Sequence, residues 1–165
     1  MKTIQFNYHR GEGFISKAIM IIGEGQCVTV PNAEDATFSH ASINFGGDRF
    51  EAVMFGGYIK NGEQTVNTSK VIESYEIKVT NKVYAYLYDW CERKVGLKYD
   101  YTGVFSNVLP ILMKPKKGKL YCSEANNIIY ELAIGNKPNY SMSQKISPTG
   151  SRNKMRSEKD VIQIT

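Results

Sequence analysis

The chain has 165 residues, one domain's worth and enough for a proper core, and its 42% hydrophobic and 22% charged content is ordinary for a soluble globular protein, not a fibrous or disordered one. The net charge of +5 is modest, and its basic residues gather in Lys114-Pro115-Lys116-Lys117-Gly118-Lys119 and in the tail from Lys137 to Lys159; this balance suits an anionic polymer or lipid surface as well as a simply solvated basic face, and no nucleic-acid motif accompanies it. Three cysteines, an odd number at no metal or disulfide spacing, argue for a reducing compartment and against a disulfide scaffold.

In chain order, Ile4 to Tyr8 alternates and predicts a short strand, and His9 to Gly13 reads as a turn that leaves His9 exposed. Phe14 to Ile22 predicts a short helix stopped by Gly23 and Gly25. It is too short for a signal peptide and Lys17 interrupts it, and no run elsewhere could span a membrane, so the expectation is a cytoplasmic protein, with export lacking a cleaved signal left open. Residues 26–36 form a loop that holds Cys27. Thr37 to Phe45 and Asp48 to Phe55 predict a hairpin about Gly46-Gly47, resumed at Tyr58-Ile59-Lys60 after Gly56-Gly57. Val71 to Val79 predicts a strand with Ile72, Tyr75, Ile77 and Val79 as apolar positions and a phase slip near Tyr75. Asn81 is the expected cap of a helix from Lys82 to about Val95, with Val83, Leu87, Cys91 and Val95 as its buried stripe. Tyr99 to Gly103 is turn-rich, and Val104 to Met113 reads as a short helix cut at Pro110. The chain beyond about residue 137 reads as a polar basic tail, with Ser147 to Ser151 as loop and Val161 to Ile164 as a last edge strand. No repeat or domain boundary interrupts residues 1–165, which read as one domain.

The segment from Tyr121 to Leu132 carries the chemistry. Ala125, Ile128, Ile129, Leu132 and Ala133 follow the spacing of one buried helix face, and Cys122 falls at the helix start, pointing the same way. A thiol there feels the positive end of the macrodipole, which favours the thiolate, and the unpaired N–H groups beside it can hold an oxyanion. In the hairpin, a two-residue turn pairs Phe45 with Asp48 and Ser42 with Glu51, so that His40, Ser42, Glu51 and Val53 share one face. Glu51 then lies diagonal to His40, roughly 7–8 Å away. Its carboxylate can accept the Nδ1 proton and leave Nε2 for a thiol. Any one of these residues alone is more often structural than catalytic. Cysteine, histidine and glutamate together form a papain-type set in a different chain order.

Phe38-Ser39-His40-Ala41-Ser42-Ile43, Phe50-Glu51-Ala52, Tyr99-Asp100-Tyr101 and Tyr121-Cys122-Ser123-Glu124 together resemble the signature of the circularly permuted papain-like cysteine hydrolases. These are the YiiX/YebB-like branch of the NlpC-type superfamily, related to lecithin:retinol acyltransferase. The stretch from Ile4 to Ile19 also resembles that family's opening strand and helix, and the resemblance spans roughly residues 4–150 through spaced matches. It implies an α+β fold with an antiparallel sheet packed against the cysteine helix, Cys122 as nucleophile, His40 as general base and Glu51 as orienter. Met1-Lys2-Thr3 stands where the family often has a Gly-Asp pair, and Tyr8-His9-Arg10 is less typical still. These departures bear on substrate more than on chemistry.

The expected activity is cleavage of an amide bond (of a peptide, including cell-wall peptide) or an acyl bond through a thioester. An acyltransferase or lipid-directed thiol hydrolase, with an apolar groove from Val104, Phe105, Leu109 and Ile111, and a non-catalytic binding module on the same fold are the alternatives. Backbone N–H groups of Cys122 and Ser123 are the candidate oxyanion donors, with Tyr8 and Tyr121 as further groove candidates. Cys91 reads as core. No metal spacing, phosphate loop or dinucleotide fingerprint is present, so no cofactor is expected. The sequence leaves the oligomeric state open.

Overall fold

A computed structural model of the chain describes residues 1–11, 38–61, 69–106, 118–138, 146–158 and 161–164. The helix expected over 14–22, the loop with Cys27, residues 107–113 with Leu109 and Ile111 of the expected apolar groove, and lysines 114, 116 and 117 lie outside the described residues. The elements in order are β1 (Lys2–Gly11), β2 (His40–Phe45), β3 (Asp48–Val53), β4 (Gly57–Lys60), β5 (Ser69–Val79), α1 (Asn81–Lys94), β6 (Lys98–Tyr99), α2 (Tyr101–Ser106), β7 (Lys119–Leu120), α3 (Cys122–Ala133), α4 (Pro148–Ser157) and β8 (Ile162–Gln163). The fold is α+β. The main sheet runs β4-β3-β2-β1-β5-β8 with antiparallel neighbours throughout, and β6 and β7 form a small parallel pair.

β1 is the centre of the sheet. Ile4, Phe6 and Tyr8 alternate into the core and are fully buried. The strand is longer than the sequence suggests: pairing with β2 reaches His9 and pairing with β5 runs on to Gly11, so His9 is no exposed turn residue but stands opposite His40 at 2% exposure. Two partners on either side hold the backbone extended where local sequence favours a turn. The ladder absorbs one extra residue in β5, where Tyr8 pairs with Glu73 and His9 with Val71. The bulge therefore sits at Ile72 rather than near Tyr75, and Ile72 is turned to solvent instead of the core. Tyr75, Ile77 and Val79 are buried as expected.

The β2–β3 hairpin has the expected register, Phe45 opposite Asp48 and Ser42 opposite Glu51, with Gly46 at φ 62° in the turn. Phe45 takes the edges of Tyr84 and Tyr88 from α1 at 5.2 and 5.7 Å between ring centroids. α1 is capped by Thr80, not Asn81: the Thr80 hydroxyl accepts from the Val83 N–H at 3.2 Å, and Asn81 is already the first helical residue. Its buried positions are Leu87, Trp90 and Cys91, whereas Val95 lies past the last turn and is exposed. α3 buries Ala125, Ile128 and Ile129, and Tyr130 meets Phe6 edge-on at 6.3 Å. Leu132 and Ala133 are only partly covered.

The chain beyond residue 137 is not all solvated tail. Ser147 caps α4 by accepting from the Gly150 N–H at 3.0 Å, with Pro148 in the first turn, so the segment read as loop begins a helix. α4 then docks on the sheet. Ser151 Oγ lies 3.0 Å from the Tyr8 hydroxyl, Thr149 accepts from the Phe38 N–H at 3.0 Å, and buried Arg152 pairs with Glu73 at 3.2 Å. β8 pairs with β5 at Tyr75 and Glu76, giving the expected edge strand. No described helix is long and apolar enough to cross a membrane.

Candidate active site

Three elements converge on one thiol. Cys122 is the first residue of α3 and is 2% exposed. The residue before it, Tyr121, has extended backbone and its side chain makes no capping hydrogen bond to the first N–H groups of α3, which lack an intrahelical acceptor. The helix is tied to β2 by Asn126, whose amide reaches the Ser42 carbonyl at 3.4 Å.

His40 opens β2, and its Nε2 lies 2.7 Å from Glu51 Oε2. An ionised carboxylate only accepts, so Nε2–H is the donor. The expected pairing through Nδ1 is thus reversed. Diagonal neighbours on paired strands are far apart, and only the tip of the imidazole spans the gap. Nδ1 is the ring nitrogen left for Cys122. Glu51 is buried to 1% and its other oxygen, Oε1, meets Arg49 Nε at 3.1 Å. Arg49 was not foreseen, although a cation two residues away on the same strand face is what a buried carboxylate needs.

The electrostatics follow. Burial on its own would lower the His40 pKa. Hydrogen bonds to Cys122 and Glu51, together with the charges of both, outweigh it and bring His40 up to about 9. The protonated imidazole is therefore favoured at neutral pH beside a thiol at a helix N-terminus.

A second histidine borders the set. His9 Nε2 lies 2.9 Å from Ser42 Oγ, and its ring centroid is 5.2 Å from that of His40 at a 54° tilt. Its position depends on the β1–β2 pairing, which a turn-like local sequence hides. Tyr99 is a further neighbour: its phenol is pushed well above the usual range by burial first, and then by the charges of Cys122, Tyr121, Tyr101 and Asp100. Asp100 is buried, accepts from the Thr102 hydroxyl at 2.7 Å and donates its backbone N–H to Leu120 at 3.0 Å, joining β6 to β7 just ahead of Cys122.

The remaining candidates separate. Tyr121 is buried at the helix start beside Cys122. The Ser123 hydroxyl is spent on the Ile146 carbonyl at 2.7 Å, leaving only its backbone N–H for an oxyanion. Tyr8 lies under α4, its hydroxyl shared between Ser151 and, at 3.2 Å, Met155 Sδ. Cys91 is core: burial pushes its thiol up to about 12, against the Tyr58 hydroxyl 3.4 Å from its sulfur. Among the described residues no group of three or more His, Cys, Asp or Glu converges as a metal set.

Comparison of the chain with models of known protein families gives no match, and comparison with curated proteins gives none either.

Proposed function

We infer that the protein is a cysteine hydrolase of the permuted papain-like type, acting on amide or acyl bonds through a thioester. The observation that carries this reading is the alignment of His40 between Glu51, 2.7 Å from Nε2, and Cys122, whose hydrogen bond and charge help raise His40 to about 9. In this mechanism the Cys122 thiolate attacks the carbonyl carbon and a C–S bond forms. The oxyanion is held by the uncapped N–H groups at the start of α3. The C–N or C–O bond then breaks, and the imidazolium of His40 gives its proton to the leaving amine or alcohol. Neutral His40 next deprotonates water, which attacks the thioester; the acid leaves and the thiol is restored. Glu51 holds the ring and its positive charge in place, itself held by Arg49.

The test is the pH dependence of Cys122 alkylation by iodoacetamide, read by mass spectrometry with Cys91 as internal control. The expected result is selective reaction of Cys122 over Cys91 near neutral pH, and a loss of about 100-fold in that rate in His40→Ala. A Cys122 that is inert, or whose rate profile is the same with and without His40, rules the reading out.

A further inference from the structure

A cavity of about 300 Å³ is built on segments that flank this site in the chain, lined among others by Phe55, Gly57, Lys98, Tyr99, Tyr101 and Lys119. Its walls continue the elements that carry the triad. Phe55 lies four residues after Glu51, in the turn that ends β3, and Lys119 lies three residues before Cys122. Three residues of chain span at most about 11 Å, so the Lys119 backbone is held within that distance of the Cys122 backbone. The Tyr101 hydroxyl donates to the Met54 carbonyl and closes the ring of walls. The floor is bare backbone at Gly57, where φ is +74° and a Cβ would stand 2.2 Å from the Leu97 carbonyl oxygen.

Its charge is one-sided. Lys98 and Lys119 are direct partners in the parallel β6–β7 pair, so their side chains leave the same face of the ladder, and both line the cavity. Like charges placed directly opposite disfavour the pairing that brings them together. Among the described residues no carboxylate pairs with either lysine. The aromatic rim is also unusually open, with Phe55 86% and Tyr101 40% exposed. Two neighbouring lysines over aromatic walls, on the chain just ahead of Cys122, make a positive face that suits an anionic group supplied from outside.

Resting on the hydrolase reading above, we propose that this cavity is a specificity subsite for an acidic amino-acid residue of a peptide substrate, its carboxylate held between Lys98 and Lys119 and its stem against Tyr99 and Tyr101. The volume, at the low end of the range for ligand pockets, fits one side chain and not the length of an acyl chain. Tyr99 links subsite and nucleophile: it lines the cavity, and its phenol is within electrostatic range of Cys122.

The experiment compares inactivation of Cys122 by two chloromethyl ketones, N-acetyl-Ala-Glu and N-acetyl-Ala-Gln, in wild type and in Lys98→Glu/Lys119→Glu. Wild type is expected to react about tenfold faster with the Glu probe, a preference that weakens with added salt. The double variant is expected to lose or invert this ratio, with each probe's rate normalised to the iodoacetamide rate of the same protein. Equal rates for the two probes in wild type, or a preference that survives the double charge reversal, would overturn the subsite. So would protection of Cys122 by phosphatidylglycerol vesicles that an N-acetyl-Ala-Glu-Ala amide peptide does not give. If Cys122 proves unreactive towards iodoacetamide, the hydrolase reading fails, and the subsite is judged by binding to Cys122→Ala. The Glu peptide must then shift the amide resonances of Lys98 and Lys119 at concentrations about tenfold below those the Gln peptide needs. Equal binding of the two overturns it.

Discussion

Cys91 and Cys122 are almost equally buried, at 0% and 2% exposure, and both lie on helices that pack against the sheet. They differ in what faces the sulfur. Cys91 is in the third turn of α1, flanked by core, with a single hydroxyl for company, and burial drives its thiol up to about 12. Cys122 begins its helix and faces His40, an imidazole backed by a carboxylate. The two helix starts differ in the same sense. Thr80 caps α1 with its hydroxyl, and no side chain caps α3. Burial alone therefore does not tell the two thiols apart. Position on the helix and the identity of the neighbour do.

The largest expected effect is on stability. The folded His40 pKa of about 9 lies above its ordinary 6.5, so the folded state binds the proton more tightly. Its contribution is complete below about pH 6.5 and fades as pH rises through about 9; it amounts to about 3 kcal/mol. Urea midpoints of wild type and His40→Gln, followed from about pH 6 to 10, should differ most at the acid end and converge at the alkaline end. A constant gap would mean His40 is not charged beside Cys122.

Replacing the other cysteine tests the opposite side of the comparison. Cys91→Ala leaves a small cavity and an unsatisfied Tyr58 hydroxyl. A loss of about 2 kcal/mol in denaturation is expected, with the Cys122 alkylation rate unchanged. A slower Cys122 in that variant would show that the two regions are coupled after all.

Glu51→Gln keeps the shape of the side chain facing His40 and removes its charge. His40 should titrate closer to its ordinary value by NMR, and Cys122 alkylation near pH 7 should slow by about tenfold. An unchanged His40 titration would assign its raised pKa to Cys122 alone. The smallest effect concerns the helix starts. Thr80→Ala should cost about 1 kcal/mol through the lost cap, with no change in Cys122 reactivity.

Much of the hairpin was legible in advance because parity is a local property. A two-residue turn at Gly46-Gly47 fixes Ser42 opposite Glu51, and the pleat then puts His40 and Glu51 on one face. The periodic stripe of α3 likewise placed Cys122 at a helix start, and the Gly56-Gly57 break bounded β4. The α4 helix was missed although Ser147-Pro148 is a capping signal, because no apolar period follows it; α4 is held by Arg152, Ser151 and Thr149 reaching the sheet, not by an oily face.

The sequence by itself determined the hairpin register, the α3 stripe and the residue types that can form a nucleophile, base and orienter, since each depends on spacing along a few neighbouring residues. Tertiary structure alone decided which imidazole nitrogen meets Glu51, that Arg49 holds the far carboxylate oxygen and that His9 lies against His40. It also decided that Lys98 and Lys119 stand side by side over one cavity. These depend on how far strands stand apart and on which segments pair across the fold, distances no local pattern encodes.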